Sequence, residues 1–152
     1  MGQAEVALVR RNYEVINSIG RTGAEFVDPE EFAPDLWARL APDFELHERP
    51  DLPDANVYRG RQESKGFWRK TQELFAEIRW EPHDFVDLGQ AIVVETTITA
   101  RGRGSDVIIE AAETDVFWFR DEAIAQLQAF PTREDGLRAA ERPPPPAPPP
   151  DR

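Results

Sequence analysis

The chain predicts an α+β fold, with helices first and a hairpin-connected antiparallel sheet after them, on three observations. Apolar residues recur at helical spacing twice within the first 75 positions, around Val6 to Ile19 and Phe67 to Phe75. From Ile78 to Phe130 the chain breaks instead into four extended segments separated by turn chemistry. The longest of them, Val107 to Arg120, is largely apolar on both faces, so each face needs cover. Helices and strands segregated along the chain give α+β layers, not alternating βαβ units.

From Glu5 to Ile19, Val6, Val9, Tyr13 and Ile16 form an apolar stripe widened by Leu8, Val15 and Ile19, and Gly20 ends it. This is a core-facing helix. Asp28 followed by Pro29, Glu30 and Glu31 has the form of an N-cap, a proline at the first helical position and acids in the first turn. The short helix it opens is interrupted by Pro34, continues through Leu36, Trp37 and Leu40, and closes at Pro42. Phe44 to Glu48 alternates as a short strand would. Arg49 to Arg59, with Pro50, Pro53, Asp51, Asp54 and Asn56, is a loop of a length that often borders a binding site. Gly60 leads into a third helix carrying Phe67, Trp68, Thr71, Leu74 and Phe75 on one side.

The four strands are Ile78 to Asp87, Ala91 to Arg101, Val107 to Arg120 and Ala123 to Phe130. Their turns are Leu88-Gly89-Gln90, Gly102-Arg103-Gly104-Ser105 and Asp121-Glu122. Thr132, with Asp135 three residues on, caps a last helix to about Glu141. Residues 1–142 form one domain. Residues 143–152 form a proline-rich tail outside it, expected to be extended or disordered, since the seven prolines among residues 143–150 donate no backbone hydrogen bonds. A PxxP docking motif and a plain solvated terminus are its two readings.

A net charge of −11, from 18 basic and 29 acidic residues, opposes phosphate backbones and anionic lipid surfaces, so neither nucleic acid nor membrane is expected as a partner. The chain has no cysteine, which removes disulfides and thiolate metal sites, and its two histidines, His47 and His83, cannot close a zinc site alone. No metal and no cofactor is expected. The acidic start and the lack of a long apolar run lead to an expected cytoplasmic location.

Three stretches in order carry a family resemblance: Leu8 to Glu14, Pro42-Asp43-Phe44-Glu45-Leu46-His47-Glu48, and Val57-Tyr58-Arg59-Gly60-Arg61. With Val116-Phe117-Trp118-Phe119-Arg120-Asp121 and Thr132-Arg133-Glu134-Asp135 after them, the chain resembles the SnoaL-like polyketide cyclase group of the nuclear transport factor 2-like superfamily over about residues 4–141. The resemblance implies a curved sheet wrapped on three helices into a cone, and a homodimer joined through the outer sheet face, here the face of Val116 and Trp118.

Beside ketosteroid isomerase, a relative in that superfamily, Tyr13 corresponds to the oxyanion tyrosine, Asp115 to the oxyanion-hole acid and Glu48 to the general base. Glutamate stands in place of aspartate at the base, and many SnoaL-like chains have histidine at the position of Asp115. The epoxide-hydrolase branch is disfavoured, because Glu95-Thr96-Thr97 and Gln128-Ala129-Phe130 lack its charged residues.

On the long strand, Glu113, Asp115 and Phe117 share a face with Val107, Ile109, Ala111 and Phe119, so two acids lie in an otherwise apolar row. A pocket acid needs a hydrogen-bond partner or a proton, because a bare buried carboxylate is costly. Glu48 and His47 are strand neighbours, so one of them faces inward. Trp37, Tyr58, Trp68 and Phe85 either wall the cavity or fill the core. Two functions stand: an acid/base isomerase or cyclase acting on an apolar carbonyl or polyketide-like molecule, and a non-catalytic domain binding a small apolar ligand.

Overall fold

The structure is a computed structural model describing residues 2–20 and 26–149. Helix α1 (Gln3–Ile19) is followed by two one-turn helices, α2 (Pro29–Phe32) and α3 (Pro34–Trp37), then by strands β1 (Leu40–His47) and β2 (Val57–Arg59). Helix α4 (Arg61–Leu74) precedes the long strands β3 (Phe75–Asp87), β4 (Ala91–Gly102), β5 (Ile108–Arg120) and β6 (Ala123–Phe130), and α5 (Arg133–Ala140) ends the domain. The described part of the tail beyond it forms neither helix nor strand, and its last three residues lie outside the described residues.

The sheet is six-stranded, in the order β2-β1-β6-β5-β4-β3. The four-strand meander is present as expected, and Asp121 and Glu122 both take positive φ (52° and 67°) in its last two-residue turn, the geometry that matches the twist of a hairpin. Several features depart from the sequence reading, among them Phe75, which opens β3 instead of ending the third helix. The three-residue β2 lies within the segment taken for a loop and pairs antiparallel with β1. Strand β1 runs parallel to β6, so the sheet is mixed, and β1 begins at Leu40, a residue expected to be helical. Pro42 sits within β1 where the pairing with β6 is interrupted between Leu40 and Glu45, as a residue without an N–H requires.

Helices α1 and α4 cover the concave face of the sheet, where one core unites Val9, Tyr13, Ile16, Trp37, Phe44, Trp80, Ile92, Phe117 and Phe119. Gly20 lets the end of α1 meet β3 backbone to backbone: a Cβ there would lie 2.3 Å from the Ile78 carbonyl oxygen. Asn17 clamps the same junction, donating to the Trp80 carbonyl (2.8 Å) and accepting from the Trp80 N–H (2.8 Å).

The convex face is where the structure corrects the sequence reading. Val116 and Trp118, taken for a dimer interface, are 0% and 2% exposed in the single chain, because α5 folds back over them. With Ala91, Val93, Phe130, Ala139 and Ala140 they form a second core. Gly136 makes the packing possible, since a Cβ at that position would lie 2.5 Å from Thr114 Cγ2. The Trp118 indole donates to the Arg142 carbonyl (3.2 Å), and Arg120 donates to the Pro145 carbonyl (2.8 Å), so the first tail residues touch β5. The apolar pattern of this face was correct; what covers it is a helix of the same chain.

Candidate functional site

Between α1, α4 and the concave face lies a cavity of about 360 Å³, open toward the loop after β1. Its walls are mostly apolar: Ile16 from α1, Phe67 and Trp68 from α4, and Trp80, Ile98, Phe117 and Leu127 from the sheet. Such a space suits a flat apolar molecule, with the few polar groups deciding its orientation. The strand alternation read from the sequence holds, for Ile109, Ala111, Glu113, Asp115 and Phe117 all line it.

The chemistry concentrates on β5. The Tyr13 hydroxyl donates to Asp115 Oδ2 at 2.7 Å across 102 residues of sequence, with Tyr13 2% and Asp115 6% exposed. Phe117 and Phe85 pack edge-on to the Tyr13 ring, at 5.8 and 6.4 Å between centroids, and hold the hydroxyl in that direction. Glu113, two residues away on the same face, lies beside Asp115, and the two carboxyls raise each other's cost of ionisation.

Burial raises both carboxyls above the ordinary range. Glu113 is pushed up to about 10, by desolvation first and then by the charge of Asp115. Asp115 is also raised by desolvation, while the hydrogen bonds from Glu113 and Tyr13 favour its charged form. Two carboxyls raised side by side favour sharing one proton, and Asp115 Oδ2 accepts from Tyr13. Desolvation and the neighbouring carboxylate also raise Tyr13, so it remains a donor.

Glu48 reaches the cavity wall, with its carboxylate already engaged. Its Oε2 accepts from Lys70 (2.9 Å), and its Oε1 accepts from Lys70 and from the Tyr58 hydroxyl (2.9 Å). Burial opposes the Lys70 charge, but Glu48 outweighs it and the ammonium is held above its ordinary range. His47 borders the cavity, yet its ring Nε2 is paired with Glu45 Oε1 (2.8 Å) two residues back, on the strand face opposite Glu48.

The aromatic residues named from sequence divide. Trp68 and Phe117 line the cavity. Tyr58 stands behind Glu48, and Phe85 behind Tyr13 under the Arg10 guanidinium. Trp37 walls a smaller space of about 30 Å³ between α1, α3 and β1.

Sequence reasoning missed Arg49, Lys70, Trp80, Asn12 and Thr71, all of which line the cavity. Arg49 is pinned by Asp51 (3.0 and 2.7 Å) and places a positive charge near the acid pair. The expected binding-loop character of residues 49–59 was a usable signal for Arg49; nothing in the local pattern marks the others. Among the described residues no group of three or more His, Asp or Glu side chains forms a possible metal site.

Solved structures of similar fold include a nuclear transport factor 2-like protein of unknown function from Burkholderia pseudomallei, 20% identical over 90% of this chain and 97% of that one, with a TM-score of 0.69. TerC, crystallised with polyporic acid, is 12% identical over 92% of this chain and 100% of its own, at a TM-score of 0.68. A protein described as a SnoaL-like polyketide cyclase from Jannaschia sp. CCS1 is 16% identical over 90% of both chains, at 0.66. No curated protein matches the chain. Residues 8–127 match the SnoaL-like domain family, a span that includes most of α1, all of α4, Tyr13, Glu48 and the acid pair on β5, and the chain belongs to that family.

Proposed function

We propose that this protein is an enzyme of the isomerase or cyclase type, moving a proton next to a carbonyl on a flat, apolar, polyketide-like molecule. The observation that carries the reading is the cavity-wall group of Tyr13, Asp115 and Glu113: a buried tyrosine hydroxyl 2.7 Å from one buried carboxyl, with a second, partly buried carboxyl beside it on the same strand face. In this reading the Asp115 carboxylate takes the proton from the carbon next to the carbonyl. The electron pair moves onto the carbonyl oxygen, which receives a hydrogen bond from the neutral Glu113 carboxyl while the Tyr13 hydroxyl stays on Asp115. Return of the proton to another carbon completes an isomerisation; attack of the enolate carbon on a second carbonyl forms a ring, and the alkoxide oxygen so made takes the proton back from Asp115. Glu48, tied to Lys70 and Tyr58, shapes the wall and leaves the base role to Asp115.

The test is exchange of the acidic C–H of α-tetralone in deuterium oxide, followed by NMR. The wild-type protein accelerates it, and Asp115→Asn loses about 10²- to 10⁴-fold of that acceleration, the usual share of a positioned base. Binding of α-tetralone without any exchange would instead identify a binding protein in which the acid pair only orients the ligand.

A further inference from the structure

The helical wall of the cavity carries two polar side chains that the protein leaves without a partner. Asn12, beside Tyr13 on α1, is 9% exposed, and among the described residues its amide makes no hydrogen bond. It lines both the main cavity and the small space behind it. Thr71 on α4 is 6% exposed and lines the main cavity, and its hydroxyl likewise bonds to no described group. Among the described residues the one side-chain polar atom that is both sealed and unpaired is Trp37 Nε1. Asn12 and Thr71 differ from it in that their polar groups open onto the cavity.

An unpaired primary amide in a buried position costs stability, and asparagine is a poor residue for the interior of a helix. An aliphatic side chain at position 12 would serve packing against Ile16 and Trp68 better on both counts. The amide becomes favourable once a ligand group supplies its hydrogen bonds. It both donates and accepts, so it matches a hydroxyl or a carbonyl equally. The carboxyls of Asp115 and Glu113 lie on the sheet wall, on β5, where with Tyr13 reaching across from α1 they address one ligand oxygen.

We propose that the cavity reads a second oxygen: its ligand is a flat apolar molecule with two separated oxygen functions, a ketone at Glu113, Asp115 and Tyr13, and a hydroxyl or carbonyl met by the Asn12 amide with the Thr71 hydroxyl as its neighbour in the same wall. This rests on the proton-transfer reading for the first oxygen and adds the chemistry of the second.

The experiment compares α-tetralone with its phenolic analogues, hydroxylated at each free position of the aromatic ring. Dissociation constants follow from quenching of Trp68 and Trp80 fluorescence. The wild-type protein favours at least one phenol over α-tetralone by about tenfold or more, the gain from satisfying a buried polar group. Asn12→Leu collapses that ratio to within about threefold and raises the melting temperature of the unliganded protein by about 2–4 °C, since a buried unpaired amide is gone. Asn12→Ala, which only removes the amide, collapses the ratio as well should the leucine variant not fold, and Thr71→Val lowers it in part. A ratio that survives in the Asn12 variants, or a wild-type protein that ignores the added hydroxyl, overturns the proposal. If α-tetralone binds and exchanges through Asp115 while the ratio is flat, the second oxygen alone is refuted. If no ketone binds, the proton-transfer reading and this one fail together.

Discussion

The two faces of β5 are built from one continuous segment and end up with opposite properties. Toward the helices, Glu113, Asp115 and Phe117 look into a cavity; away from them, Val116 and Trp118 are sealed beneath α5. The difference lies in what is laid over each face. On the concave side, α1 and α4 stand off from the curved sheet, and aromatic rings span the gap without filling it. On the convex side an eight-residue helix presents Gly136, Ala139 and Ala140, residues small enough to approach β5 closely. Large residues arched over a curved sheet leave room, and small residues pressed on its back leave none.

The largest effect expected from breaking this contrast is on the sealed side. Trp118→Glu puts an unpaired carboxylate beneath α5 and destabilises the domain by about 3–5 kcal/mol, the cost of an uncompensated buried charge. Urea unfolding followed by circular dichroism measures the loss. A folded variant with a reduced mass in light scattering would restore this face as an interface between copies.

On the open side a smaller change of opposite sign is expected. Glu113 has its folded pKa raised above the ordinary carboxylate value, so the stability it contributes is complete at acid pH and falls as pH rises through the neutral range. Glu113→Gln removes that ionisation and keeps a donor for Asp115. Its urea midpoint should exceed that of the wild type at pH 8 by the equivalent of about 1–3 kcal/mol, and the advantage should vanish near pH 4. A variant less stable than wild type at pH 8 would mean that Glu113 is ionised and usefully paired.

The smallest effect concerns the tail. Deleting residues 143–152 removes the hydrogen bond from Arg120 to the Pro145 carbonyl, worth about 1 kcal/mol, and leaves the Trp118 bond to Arg142 in place. The melting temperature should fall by no more than about 4 °C. A larger drop would make the prolines part of the cover over the convex face.

Much of this was legible along the chain. The helix with Tyr13, the meander with its turns, the cap at Thr132 and the two acids sharing a face of β5 depend on local periodicity and turn chemistry, which a sequence displays directly. The segregation of helices and strands set the fold class for the same reason. Tertiary structure alone decided the partners. Tyr13 meets Asp115 across 102 residues. Glu48 faces Lys70 rather than a free cavity. Asn12 and Thr71 are left unpaired because no other wall reaches them. The three-residue β2 and the parallel pairing of β1 with β6 escaped the sequence reading because such short pairings carry no periodic signal. The covering of Val116 and Trp118 escaped it too, since an apolar strand face records that something lies over it, and only the packed chain settles whether that is its own helix or another molecule.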